Sequence, residues 1–599
     1  MIMYIKYIQC LCRKISMVLG VFVVFNFLVF ERAEDSKESK PASWMRPKIY
    51  IYQPPAVEVS TVTTFRTVDP QIIQKLIDLL QEDYLGKKEE DDPTDPIASS
   101  LLAIKSLETP EGKELGNRYT YLGVALSESL GWEQIKHIRV ISEQNLKQRL
   151  TIVARWEQPD VRSIALVALA TLKDKNDLVY FQEALWSRQI GVRYATVEAL
   201  LKWGYPEAVP ILQGLVDRDE SFLIRAVAAA ALAHLGAPNG ISILRQNLDS
   251  KDWLVRALSA KALGEVGSYE DYDILVQQIN REQISNSNEF VLAETAVAAL
   301  KLFPLKIEKQ NEEKELKKQR KKNPAYQPSI KKEAVRPRKD VLFELEPLVV
   351  KAPRLQIEQE IPVDSRIDFQ LLKLLQEKPE MRVTDEMRHQ SIAYNDLDFL
   401  VTPNGRRLLG RYTILGLLLT EGLAGTKDFQ LMNELQRIAR NERKFEEKNK
   451  QVVSFAMIAL AYNKDPIHLS IFQDALRSES PTDRFASLEA LSIWGLPEAT
   501  SILIGVTKLD SSAFIRVYAA QAAWRMGESI GRDFILSSLN DQDWVARAMA
   551  MRYFGELGSA DAYEQLLAYF ASQQRPIVQA EMCSALLRLF AKKAEAEKR

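Results

Sequence analysis

A helical module about 31 residues long, repeated in register, constrains this chain more than any other feature. The segments PDVRSIALVALATL, IGVRYATVEALLKWG, FLIRAVAAAALAHLG and WLVRALSAKALGEVG share one template. Their arginines, Arg162, Arg193, Arg225 and Arg256, are spaced 31, 32 and 31 residues apart. In the third segment Ile224, Val227, Ala228, Ala231, Leu232 and Leu235 recur at the spacing of one buried stripe on an α-helix. Gly204, Gly236 and Gly267 close successive segments, each expected to supply the left-handed residue that ends a helix. Shorter amphipathic stretches lie between, such as 206–217 with Pro206 near its first turn. Two helices per module, in tandem, predict an all-α solenoid in which each hairpin buries its apolar face against its neighbours.

The array is itself duplicated. Residues 181–268 align without a gap to 472–559 at an offset of 291, with 36 identical pairs in 88. Arg193, Arg225 and Arg256 correspond to Arg484, Arg516 and Arg547, and Trp203-Gly204 to Trp494-Gly495. Upstream, TPEGKELGNRYTYLG (109–123) pairs with TPNGRRLLGRYTILG (402–416), and 68–82 with 363–377. The expected organisation is a leader (1–33), a linker with an extended arm (34–66), solenoid copy 1 (67–305) and a basic flexible linker (306–342). A second extended arm (343–362), solenoid copy 2 (363–592) and a polar tail (593–599) follow.

The D-x-x-x-V-R…A…A-L…G pattern, best seen in DSKDWLVRALSAKALGEVG and DQDWVARAMAMRYFGELG, resembles HEAT repeats of the short kind associated with phycobilisome bilin lyases. The resemblance covers about residues 110–303 and 402–590. It implies an α–α superhelix and, most often for such arrays, a binding scaffold. Leu292 and Gln579 stand where the last unit of each copy would carry its arginine, so those units are expected to act as caps.

At the N-terminus, Lys6, Arg13 and Lys14 precede an almost wholly apolar run, Ile15 to Phe30, and a polar stretch follows. That layout predicts export, by a signal peptide or by an uncleaved membrane anchor, since Glu31 before Ala33 makes a poor cleavage site. Of three cysteines only Cys583 lies outside this leader, where it reads as a small core residue, so no disulfide forms within the body. With 79 Lys+Arg against 80 Asp+Glu the chain lacks the broad cationic field that would make nucleic acid its default partner. The stretch 306–339 holds 13 Lys+Arg and 5 Asp+Glu. It reads as a tether, with a short solvated helix at 308–322, or as a contact for an anionic surface. The β-branched, proline-marked stretches 47–65 and 346–364 predict extended arms.

Chemistry is sparse. His137, His234, His389 and His468 have no second ligand at metal spacing, and no phosphate loop or nucleophile elbow is present. Deoxyhypusine hydroxylases are also HEAT proteins, but the His-Glu pairs that the family uses are missing here. His234 reads as a solvated cation near a helix C-terminus. The repeated arginines are assigned a structural role, pairing with Asp160, Asp252, Asp483 and Asp543 at the same helix starts. Trp253 and Trp544 are the residues put forward for anchoring a partner, Trp203 and Trp494 belong to the core, and Ala228–Ala231 supports close stacking in place of a pocket. The expected function is a non-enzymatic scaffold, exported or anchored, that binds proteins through concave surfaces and needs no cofactor. A lyase-like enzyme or enzyme subunit, and a cytosolic nucleic-acid-binding HEAT protein, are the alternatives.

Overall fold

In the computed structural model the described residues are 99–120, 143–156, 159–284, 288–322, 371–374, 382–400, 402–424, 428–440, 451–570 and 575–596, with a few single positions between. The leader and both extended arms lie outside them. The first helices are α1 (Ser99–Lys105), α2 (Pro110–Thr120) and α3 (Glu143–Trp156). The repeats of copy 1 follow as α4 (Pro159–Leu172), α5 (Leu178–Ala184), α6 (Ile190–Trp203), α7 (Ala208–Arg218), α8 (Phe222–His234), α9 (Pro238–Asn247), α10 (Trp253–Val266), α11 (Tyr269–Ile284) and α12 (Glu289–Lys322). Copy 2 opens with α13 (Asp385–His389), α14 (Ile392–Asp396), α15 (Pro403–Thr413), α16 (Leu415–Leu423), α17 (Phe429–Ala439) and α18 (Gln451–Ala461). It continues through α19 (Leu469–Ala475), α20 (Pro481–Trp494), α21 (Glu498–Leu509), α22 (Ala513–Arg525), α23 (Ser529–Ser538), α24 (Trp544–Leu557), α25 (Ala562–Leu567) and α26 (Pro576–Ala596).

Local chemistry repeats with the sequence. Ser221 caps α8 by accepting from the Ile224 N–H, and Asp252 and Asp543 cap α10 and α24. Gly204, Gly236 and Gly495 adopt the left-handed conformation, with φ of 70°, 73° and 60°. Gly267 does not: its φ is −69°, and glycine is needed there because a Cβ would strike the Leu263 carbonyl. Trp203 and Trp494 are buried as expected, and each indole N–H donates to a backbone carbonyl 29 residues earlier, Asp174 at 2.8 Å and Asp465 at 3.0 Å. Cys583 is fully buried.

The second helices of the repeats form one continuous row. Helices α4, α6, α8, α10 and α12 pack in sequence, α12 packs on α16, and α18, α20, α22, α24 and α26 follow. This changes two expectations. The unit carrying Leu292 is no cap, because α12 receives copy 2 on its far side. Helix α12 also crosses the expected boundary at 305 and runs on to Lys322, with Pro304 inside it, so the basic stretch begins as a helix continuous with the array.

The row is also buried more completely than one stripe predicts. Every residue of α10 from Ala257 to Gly264 is buried, as is every residue of α24 from Ala548 to Gly555. A helix covered all round has neighbours on both faces. First helices such as α9 and α11 cover one side; the segments that open each copy cover the other.

Candidate functional site

The opening segment of each copy packs on the array of the other. Thr109 and Thr402, both buried, cap α2 and α15 by accepting from Gly112 and Gly405 N–H at 3.1 Å each. Helix α2 lies against α20 and α1 against α24, while α14 lies against α8 and α10, and the two Thr-Pro helices α2 and α15 touch. Two equivalent ion pairs lock this exchange. Arg118 on α2 forks onto Glu581 of α26, with Nη2 to Oε2 at 2.8 Å and side chains only 1% and 0% exposed. Arg411 on α15 forks onto Glu294 of α12 at 2.7 and 2.8 Å. Its Nη1 also reaches Glu421 at 2.6 Å. Planar bidentate pairing suits a buried arginine, since it satisfies the fork while neutralising its charge.

Copy 2's segment 384–400 is read by copy 1 in detail. Ser221 Oγ donates to Asp396 at 2.6 Å, and Asp252 accepts from Ser391 Oγ at 2.6 Å and from the Ala393 N–H at 3.0 Å. The Trp253 indole donates to the Met387 carbonyl at 2.8 Å and stacks near Tyr394 and Phe290. Trp253 therefore sits 2% exposed, holding a segment of its own chain. Trp544 is equally buried, beneath the Arg575 guanidinium.

Arg193, Arg256 and Arg484 act structurally through carboxylates other than those expected, whereas Arg547 does feel the charge of Asp543. Arg193 forks onto Asp219, 26 residues ahead, at 2.9 and 3.1 Å, and donates to the Ser187 and Arg188 carbonyls behind it. Arg484 repeats this with Asp510, Ser478 and Glu479, and Arg256 uses Glu282. Arg225, Arg516 and Arg547 donate to carbonyls six residues back. Burial lowers the pKa of Arg162. Asp252 and Asp543 serve as caps, Asp252 also gripping copy 2, while Asp483 accepts from Ser478 Oγ at 2.7 Å and Asp160 feels the charge of Arg406. Sequence spacing showed the arginine but not the loop carboxylate one repeat on.

Further along the row sit several partly buried charges. Glu265 is held by Lys261 Nζ at 2.5 Å and His234 Nε2 at 3.2 Å, so His234 is a partner of a carboxylate and not a solvated cation. Glu556 occupies the equivalent place between Arg552, Arg588 and Arg525, at 2.9, 3.1 and 3.4 Å. Burial pushes both carboxyls up, but Lys261 and the His234 hydrogen bond at Glu265, and the arginines at Glu556, outweigh it and hold them well below the usual range. Glu421, between Arg411 and Lys301, is likewise drawn down against burial, to about 2. Among the described residues no cluster of three or more His, Cys, Asp or Glu is placed to hold a metal, and no helix is long and apolar enough to cross a membrane.

Residues 146–233 and 217–300 match HEAT repeats. No curated protein is similar enough to match. Among solved structures, human deoxyhypusine hydroxylase is 13% identical, covering 64% of this chain and 96% of its own at a TM-score of 0.22. Kap95p, in a structure with RanGDP, is 12% identical over 88% of this chain and 68% of its own, with a TM-score of 0.30. The karyopherin Kap121p bound to Nup53p is 14% identical over 89% of this chain and 55% of its own, at 0.28.

Proposed function

We propose that this HEAT-repeat protein is a non-enzymatic scaffold for protein partners, exported to an extracytoplasmic compartment such as the periplasm and tethered there by residues 15–30. One observation supports the binding role above others: the inner row of copy 1 already holds a polypeptide segment, 384–400, by side-chain and backbone contacts together. A surface able to seat one peptide that way suits proteins better than a small metabolite. Because each copy grips the opening segment of the other, the two arrays present their outer helices in a fixed arrangement. The basic stretch 306–339 gives the scaffold a contact for anionic phospholipid headgroups.

A reporter fused after residue 45 tests the compartment, and affinity capture of the tagged chain from membranes, washed at high salt, tests the partner. Reporter activity outside the cytoplasm and a stoichiometric protein partner are the expected results. Cytoplasmic activity, or substrate turnover by the purified chain, refutes the proposal.

A further inference from the structure

The junction that holds 384–400 also leaves an apolar ridge in water. The segment crosses the starts of three inner helices in turn. The Ala393 N–H reaches Asp252 before α10, Asp396 accepts from Ser221 before α8, and a Cβ on Gly191 of α6 would lie 2.5 Å from the Phe399 carbonyl oxygen. Tyr394, Leu397 and Leu400 of the segment are buried, whereas Ile392 and Phe399 are 63% and 59% exposed. Beside them the array exposes Trp186, at 89%, in the turn before α6, and Phe222, at 39%, on the first residue of α8. Four of the ten large apolar side chains that stand exposed among the described residues therefore gather along this edge.

The repeat itself does not need them. Copy 2 carries Arg477 and Ala513 where copy 1 has Trp186 and Phe222. Counted back from the paired Thr109 and Thr402, Ser99 and Ser106 stand where Ile392 and Phe399 do. At ~200 Å² for a whole aromatic side chain, and somewhat less for isoleucine, the four leave about 500 Å² of apolar surface in water. That is close to the apolar share of one ~800 Å² side of a standard protein interface, of which about 57% is non-polar. The charges among them have no dominant sign. Arg388 pairs with Asp398 at 3.7 Å, Arg193 with Glu220 at 3.3 Å, and the Arg225 guanidinium lies 4.3 Å from the centre of the Phe222 ring. Anionic headgroups or nucleic acid call for an excess of cations, whereas a surface that meets itself across a two-fold axis must avoid an excess of either sign. Because only one copy bears the ridge, such a pairing closes at two molecules.

We propose that two copies of this chain dock through this ridge, with Trp186 as the anchor on each side. The inference goes beyond the scaffold reading and does not depend on it. Light scattering of the full chain in detergent micelles should find two chains per particle. The triple variant Trp186→Arg, Phe222→Ala and Phe399→Ser, which installs the residues of copy 2, should weaken dimerisation about a hundredfold or more while the melting temperature is kept. If that variant fails to fold, Trp186→Arg alone serves the same end. Photoreactive benzoylphenylalanine in place of Trp186, irradiated in cells, should join two chains, with the cross-link at Phe222 or within 392–399 of the second. One chain per particle, a dimer that the variant leaves intact, or cross-links formed only to lipid, to a different protein or within one chain overturns the inference.

Discussion

Replacing Glu581 by alanine should be among the most damaging single changes in the chain. Glu581 lies 463 residues from Arg118, and both side chains are shut away from water. Deleting the carboxylate strands a buried guanidinium, a loss of about 3–5 kcal/mol for a buried pair broken from one side. Arg118→Ala should cost a similar amount, since Glu581 is then the orphan. The double variant should cost much less than the sum, with a coupling of about 1–3 kcal/mol, because the second deletion removes the orphan left by the first. Denaturant melts of the four proteins measure this, and hydrogen exchange in α2 reports whether its docking is what is lost. Exchange in α2 should rise in both single variants before the array itself opens. Additive losses, or α2 protection unchanged in Glu581→Ala, would refute the idea that this pair fastens the two copies together.

Acid should loosen the equivalent junction of the other copy. The Glu421 pKa is depressed in the fold, so its stabilisation is complete above its unfolded value of about 4.3 and is lost as pH falls from there towards about 2; Glu421→Gln should flatten the melting profile in that window. Gly264→Ala and Gly555→Ala should each cost about 1–3 kcal/mol by overpacking, because a Cβ would lie 2.7 Å from Ala298 Cα and 2.5 Å from Ala585 Cα; equilibrium unfolding checks both. Trp253→Ala should cost about 3–5 kcal/mol and expose 384–400 to limited proteolysis, and an uncleaved segment would contradict its anchoring role. Arg193→Ala, which loses a buried fork, should lower the melting temperature more than Arg225→Ala, which loses contacts to a carbonyl and the Phe222 ring.

The repeats were legible because their information is local. Arginine, alanine face and terminal glycine recur within one module, and the tryptophans of α6 and α20 repeat at one offset. The exchange of opening segments was not legible, because its contacts join residues 117 to 463 apart in sequence and leave no period. Two traces of it were nevertheless present. Arg118 and Arg411 recur inside the duplicated Thr-Pro segments, outside the arginine template, and Glu294 and Glu581 interrupt the apolar opening stretches of α12 and α26 at matching places. The charge in an apolar helix asks for a distant counter-charge, and the duplicated arginine supplies it. The close packing expected at Ala228–Ala231 was misread for a different reason: a cavity of about 110 Å³ stays open beside Ala226, Val227, Ala230 and Ala262. The alignment of the copies already sets Val227 against Tyr518 and Ala262 against Tyr553, but only the fold shows that these positions border one space.

The reciprocal ion pairs, Arg118 with Glu581 and Arg411 with Glu294, are related as the two halves of an isologous dimer interface would be. A gene encoding one such half would make a polypeptide whose leading helix has no seat except on a second molecule, so its assembly would depend on protein concentration. Joining two halves end to end turns that encounter into an internal event, set by the length of the connection and independent of dilution. It also frees each half to diverge, as sister subunits of a strictly symmetric pair cannot. The unequal interiors at Ala262 and Tyr553 are one product of that freedom.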